Sequence, residues 1–311
     1  MTGKKNGIGI KERLDVHQRV TDIVLELLQK GVAPWQSPVD MRWQWPRNFA
    51  TGQLYHGINV FLLSAPRYAS PWFLTFVQAL QRGGNVRKGE KGSLVVKYGT
   101  YTQKDKGDQV QTDDEKSRGY LKAYTVFNAC QIEGIEFPAA EHVPCPAEPH
   151  DAAEAIVRGM PDAPVIHEGR TTGAYYTPTL DVVEMPGREH FTNSEQFYQT
   201  LFHELTHATG HSKRLARPSL LENKGMNATS KTAQRTYCQE ELTAEMGAAF
   251  LCAHAGMSSA QMVEDSAAYI QGWLEALQEP KNKHWVVRAA SQAQKAADFI
   301  LGALAEASAP D

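Results

Sequence analysis

Apolar residues recur with a helical period between positions 10 and 31. Leu14, Val20, Ile23, Val24, Leu27 and Leu28 fall on one side, and Gly31 marks the stop. The stretch Ala33-Pro34-Trp35-Gln36-Ser37-Pro38 breaks that pattern. A turn at 51–57 leads into a short helix through Leu63. The apolar run after Ser70-Pro71 predicts a second helix over 70–80, closed by Gly83-Gly84, with Trp72, Phe73 and Phe76 facing a core. Beyond a glycine-punctuated turn at 85–92 the pattern becomes extended. Residues 93–98 and 120–128 read as the strands of a β-hairpin, with the polar stretch 103–118 as its mobile tip.

Residues 136–154 carry four prolines and little periodicity, which makes them the best domain boundary in the chain. A short helix at 152–159 and short strands at 165–167, 173–176 and 180–186 follow. Thr192-Asn193-Ser194 then caps a helix over 195–209, with Gly210 as its stop. Another helix covers 237–251, its apolar side made by Leu242, Met246, Ala249 and Phe250. The fold class expected is α+β in two domains. Residues 1–140 form an α+β domain, 141–154 a linker, and 155–311 a mainly helical domain with a small sheet.

Composition changes little in this picture. Hydrophobic residues make up 42% and charged residues 22%, as in ordinary globular proteins. No run approaches the ~18 apolar residues of a membrane span, and the polar opening Met-Thr-Gly-Lys-Lys-Asn lacks the apolar core of a signal peptide. Cys130, Cys145, Cys238 and Cys252 form no close pair and read as reduced thiols. A cytoplasmic protein with no membrane partner is expected. Charge is more informative. Residues 1–140 hold 19 Lys+Arg against 13 Asp+Glu, a balance of +6, leaving 13 of the 32 basic and 22 of the 35 acidic residues, a balance of −9, for the remainder. A solvated surface of uneven charge is one reading, and a polyanion facing only the first half is the other.

Single-stranded nucleic acid is held by cations on its phosphates and by aromatic faces under its bases. The basic half supplies Trp35, Trp43, Trp45, Tyr55, Trp72, Tyr98, Tyr101, Tyr120 and Tyr124, with Arg42, Arg47, Arg87, Lys88, Lys91, Lys97 and Lys122. For Arg87, Lys88 and Lys91 a phosphate-contacting loop and a solvated turn fit equally well. The succession of Trp35 in a Pro-Trp turn, Asn48, Thr51-Gly52, Tyr55-x-Gly57-Ile58-Asn59, Gly84-x-x-Arg87-Lys88-Gly89-Glu90-Lys91-Gly92 and Phe127-Asn128 resembles the N-terminal domain of ArdC-type antirestriction proteins. A similar domain is carried by conjugative plasmid primases of the TraC type. The resemblance spans residues 10–135 and implies non-sequence-specific binding of single-stranded DNA. Trp35, Arg42, Trp43, Trp45, Arg47, Tyr55, Asn59, Arg87, Lys88, Lys91, Lys97 and Lys122 are the candidate contacts.

The acidic half contains His203-Glu204-Leu205-Thr206-His207. Histidines four apart lie one turn apart on one helix face, so both imidazoles reach one metal ion, with the intervening glutamate beside the metal-bound water. A buried histidine pair is the alternative reading. Short strands leading into such a helix are the layout of zincin metallopeptidases. A metzincin needs a histidine at the third position after Gly210, where Lys213 stands. The third ligand is therefore expected from the helix at 237–251, where Glu241 and Glu245 share a face. Glu241 is assigned as ligand and Glu245 as the carboxylate orienting a ligand histidine, with Glu245 and Glu240 as alternative ligands. Tyr175, Tyr176, Tyr237 and His211 are possible oxyanion donors. Zn²⁺ suits two imidazoles and a carboxylate, and Mn²⁺ is possible.

The second half also resembles the ArdC family's metallopeptidase-like domain. The resemblance lies in His203, Glu204, His207, Gly210-His211, Arg214-Leu215 and Glu240-Glu241-Leu242 through Gly247-Ala248. Ile270-x-x-Trp273-Leu274 and residues 293–298 belong to the same pattern and read as closing helices, with Trp273 a packing anchor. The resemblance implies an antirestriction protein that coats incoming single-stranded plasmid DNA during conjugation. Two alternatives stay open: an active zinc metallopeptidase, with Glu204 as general base, cleaving a host restriction or DNA-processing protein, or a metal that only staples the second domain. A primase is disfavoured, because no acidic cluster for magnesium-dependent polymerisation stands out.

Overall fold

The computed structural model describes residues 15–30, 33–35, 45–66, 68–102, 117–139, 149–221, 231–257 and 273–303. Helix α1 (Val16–Gln29) starts at Asp15, whose carboxylate accepts from the His17 and Gln18 amides, and buries Val20, Val24 and Leu28 at a four-residue spacing. Then follow β1 (Arg47–Asn48), α2 (Ile58–Ser64), β2 (Trp72–Thr75), α3 (Phe76–Gln81), β3 (Asn85–Val86), β4 (Ser93–Thr102), β5 (Ser117–Asn128) and β6 (Ile132–Glu133). Strands β1, β2, β5 and β4 lie side by side in one sheet, and β3 and β6 form a two-stranded ribbon. Strands β4 and β5 make a ten-rung antiparallel ladder from Ser93↔Val126 to Thr102↔Ser117. The hairpin is thus longer than its alternating pattern predicts, and what remains of its tip lies outside the described residues.

The expected helix over 70–80 is half wrong. Residues 72–75 form a strand of the sheet, and the helix starts only at Phe76. Thr75 is extended and closes a capping box with Gln78, each side chain bonding the other's backbone amide. Phe73 and Leu74 are buried on opposite faces of β2, so the strand reads as a continuous apolar run rather than an alternating one. Phe76, placed in the core by the helix reading, is exposed on α3.

The second region holds α4 (Pro149–Gly159), β7 (Val165–Glu168), β8 (Tyr175–Thr177), β9 (Val182–Met185), α5 (Ser194–Thr209), α6 (Pro218–Leu221), the long α7 (Lys231–Ala255), a helical stretch at 273–278 and α8 (Trp285–Ile300). Helix α4 begins three residues before the expected Ala152, inside the stretch read as linker. Its sheet has the order β7-β9-β8, with β7 parallel and β8 antiparallel to β9.

The hydrophobic core does not divide at the proline-rich stretch. Val20, Val24 and Leu28 of α1, Trp35 and Phe61 belong to the same buried cluster as Phe202, Phe250, Trp273, Ala290 and Ala297. Trp35 packs edge-on against Trp273 at 5.3 Å, and Phe61 stacks on Phe250 at 4.7 Å. Phe250 lies on α7, the helix that also carries Glu241 and Glu245, so helix α2 of the first region and the acidic helix of the second share their packing. Among the described residues, no helix is long and apolar enough to cross a membrane.

Candidate metal centre

Helix α5 is fixed at its start by Asn193, whose side chain accepts from the Gln196 amide at 2.8 Å. It is held along its length by buried Phe197, Leu201, Phe202, Leu205 and Ala208. Its glycine stop is explained by crowding rather than by backbone freedom. Gly210 has an ordinary negative φ, but a Cβ there would sit 3.0 Å from Arg217 and Leu220. Opposite α5 runs α7. The two come into close contact at Gly247, where a Cβ would lie 2.5 Å from the Thr206 side chain, so only glycine lets α7 come this near.

That approach brings three side chains together. His203 Nε2 and His207 Nε2 are 3.1 Å apart, Glu241 Oε2 is 3.4 Å from the first and Glu241 Oε1 3.5 Å from the second. Ligand atoms bound at about 2.0–2.2 Å to a tetrahedral ion lie roughly 3.3–3.6 Å from one another; the Glu241 separations fall in that range and the imidazole nitrogens sit slightly closer, so the group is near the size that a small divalent cation requires. Two imidazoles and a carboxylate are also the donor set such an ion takes. These three residues can hold a metal.

The remaining imidazole nitrogens each face another carboxylate. Glu240 Oε1 is 3.2 Å from His207 Nδ1, and Glu245 Oε1 is 3.5 Å from His203 Nδ1. Glu240, an alternative ligand on sequence grounds, therefore points away from the Nε2 triangle. It is fully buried and saturated by Arg217 and Ser219. Burial works against charge on both imidazoles, but the carboxylates beside them prevail and hold both pKa values above the usual range. Burial likewise opposes the Glu241 anion, yet His207, His203 and a hydrogen bond from Tyr237 keep its pKa lowered. Glu204 is buried next to His203 and adds to its positive-charge preference. Among the possible oxyanion donors, Tyr176 is engaged elsewhere: its hydroxyl donates to Asp181 at 2.8 Å and accepts from Arg214 at 3.1 Å.

The candidate DNA contacts scatter. Trp35 is buried at 2% exposure beneath Trp273 and cannot stack on a base. Asn59 is likewise structural: its side chain donates to the Val96 carbonyl and accepts from the Val96 amide, both at 2.8 Å, tying α2 to β4. Trp45 is half-buried against Phe250 and His254 and donates to the Tyr55 carbonyl. Tyr55 packs edge-on to Phe73, and Arg47 lies over the Trp72 ring. Arg87 is paired with Glu90 at 2.8 Å. Arg42 and Trp43 lie outside the described residues. Lys88, Lys91, Lys97 and Lys122 are exposed. Lys97 and Lys122 are direct cross-strand partners, flanked by Val95↔Tyr124 and Gly99↔Tyr120 on the same face of the ladder. Lys122 Nζ sits 5.2 Å from the Tyr124 ring centre.

Residues 14–127 match the N-terminal domain of anti-restriction factor ArdC, and residues 151–292 match a zincin-like metallopeptidase family. A metal-free crystal structure of the antirestriction ArdC protein from the R388 plasmid superposes with a TM-score of 0.72 at 39% identity, covering 94% of this chain and 99% of that one. The chain belongs to the ArdC family of antirestriction proteins. A Mn(II)-bound structure of the same R388 ArdC protein matches with a TM-score of 0.68 at 36% identity, over 92% of this chain and 97% of that one. Among curated relatives, the uncharacterized protein y4eC of Sinorhizobium fredii is 31% identical over 92% of this chain and 91% of its own length. The DNA primase TraC of Escherichia coli is also 31% identical over 92% of this chain, which spans only 27% of that protein.

Within this ArdC-family chain, sequence reasoning missed Arg217, Ser219 and the role of Gly247. A lone arginine before a proline carries no signal of burial. Gly247 lies in the Glu245-Met246-Gly247-Ala248 run, where a small residue on an acidic helix is the signal of close helix packing that could have found it.

Proposed function

We propose that this chain binds single-stranded DNA and a divalent metal, and acts in antirestriction by covering incoming plasmid strands during conjugation. The observation that carries the DNA half is the exposed cross-strand Lys97–Lys122 pair beside Tyr124, beyond the buried Val95 on the same face of β4–β5. There, cations and an exposed aromatic ring share one surface with no acidic cross-strand partner in the rungs from Val95↔Tyr124 to Gly99↔Tyr120. An unstructured oligonucleotide should bind the purified protein with an affinity that falls steeply with salt. Binding that is absent at low salt, or indifferent to salt, overturns the reading.

The metal is assigned to His203, His207 and Glu241, with Zn²⁺ or Mn²⁺ compatible with the donor set; the Mn(II)-bound relative supports a divalent ion in this family. When bound, such an ion acidifies a water molecule and polarises a carbonyl. This chain would place the buried Glu204 beside that water to take up and return its proton, while Tyr237 steadies the Glu241 carboxylate.

A second reading, an active metallopeptidase acting on a host restriction or DNA-processing protein, is favoured by Glu204 itself. A metal that only stapled the fold would have no use for a buried carboxylate at that position. Glu204→Gln separates the two readings. If the variant binds metal and protects DNA as fully as wild type, proteolysis is not the mechanism.

A further inference from the structure

We infer that Arg217 is a positioning residue for the metal centre, acting through Glu240 on His207. The assignment rests on the metal-centre reading and extends it to a residue with no contact to the three candidate ligand atoms.

Arg217 is 2% exposed and Glu240 is fully buried. Arg217 Nη2 lies 2.5 Å from Glu240 Oε1 and its Nε 2.9 Å from Oε2, a two-pronged grip that a lysine cannot reproduce. Ser219 donates to Oε2 at 2.5 Å. The remaining approach to Oε1 is taken by His207 Nδ1 at 3.2 Å. With every other acceptor direction occupied, the carboxylate has one orientation, and His207 Nδ1 carries the proton that it accepts. The Nε2 lone pair is then the one turned toward His203 and Glu241.

The same guanidinium ties down the end of the ligand helix. It donates to the Thr206 carbonyl at 2.7 Å and to Thr209 Oγ1 at 2.9 Å, so it registers α5 against α7 at the turn that bears His207. The chain makes room for it: a Cβ at Gly210 would sit only 3.0 Å from Arg217 Nη2. His203 shows the contrast. Its Nδ1 makes no hydrogen bond, and Glu245 stands 3.5 Å away. The Arg217–Glu240 unit thus anchors His207 as the fixed corner of the site and leaves His203 as the corner that adjusts.

The test is metal uptake by the full-length, metal-free protein. Mn²⁺ is followed by the paramagnetic resonance of the free ion and Zn²⁺ by competition with a chromophoric chelator. Arg217→Lys should weaken both by at least about tenfold, and Ser219→Ala by about threefold. In ¹⁵N spectra of the metal-free protein, recorded at a pH high enough for the His207 ring to be neutral, that ring should change from a single Nδ1-protonated tautomer to a mixture in Arg217→Lys. A variant that loses thermal stability but keeps its metal affinity and its tautomer assigns Arg217 to packing alone and overturns the inference. If Arg217→Lys does not fold, Ser219→Ala decides: wild-type affinity overturns the inference, and weakened affinity with unchanged melting supports it. Wild-type protein that takes up neither ion defeats the metal-centre reading itself, whereas a wild type that binds while both folded variants bind equally well defeats only the role of Arg217.

Discussion

The acidic helix pair and the basic hairpin encode their chemistry differently. At the metal centre, residue type and helical spacing already determine geometry. Once α5 is a helix, His203 and His207 must share a face, and once α7 is a helix, Glu241 and Glu245 must share another. In the first region the aromatic and cationic residues carry no such constraint. Trp35 and Asn59 are absorbed into packing and backbone support, Trp45 and Tyr55 are half-buried, and Lys97, Lys122 and Tyr124 reach the surface because the β4–β5 ladder alternates its faces. A coordination motif is a statement about relative position, whereas a census of stacking residues is one about composition, which burial then redistributes.

The shared core gives the sharpest way to break that contrast. Phe250 stacks on Phe61 of the first region while riding on the helix that carries Glu241. Phe250→Ala should cost about 3–5 kcal/mol and lower the urea midpoint of the whole chain in a single transition. Two separate transitions, with only the second shifted, would show that the regions fold independently.

The hairpin should respond in binding rather than in stability. Tyr124→Ala should weaken an oligonucleotide by about 1–3 kcal/mol if a base stacks on that ring. Unchanged affinity would move the interface away from this face.

An acid titration probes the acidic half away from both sites. Arg214 and Tyr176 hold the Asp181 carboxyl down at about 2 despite its burial, against an ordinary value of 3.8. Because the folded pKa is the lower one, the pair stabilises fully above about pH 4 and loses its contribution as pH falls toward 2. That contribution is about 2 kcal/mol at most. Asp181→Asn should flatten the acid limb of the stability curve, and an unchanged limb would assign the acid sensitivity to other carboxylates.

The smallest effect belongs to the lysines. Lys97→Gln should reduce the salt dependence of DNA binding, a log–log slope, by about 0.7 if one phosphate contact is lost, with little change in melting. A full-sized slope would show that Lys97 faces solvent only.

How much was legible in the chain follows the same division. The helix bearing His203, its Asn193 cap, the hairpin and the short strands before α5 all follow local rules of period, capping and turn chemistry, and they appear where those rules put them. Strand β2 does not. Phe73 and Leu74 are buried on both faces, and a doubly buried strand has the same apolar run as a buried helix. Glu240 illustrates the limit for the site. Glu240, Glu241 and Glu245 lie within two turns of one helix, and which of them meets the imidazole Nε2 atoms is chosen by the partner across the gap. The sequence alone determined that the two imidazoles share one helix face and that Glu241 and Glu245 share another, because helical spacing is a short-range property. Tertiary structure alone decided which glutamate closes the triangle, which is gripped by Arg217, and which tryptophans are core. These outcomes depend on how closely α7 approaches α5 at Gly247 and on what the first region buries against α7, contacts between residues far apart in the chain.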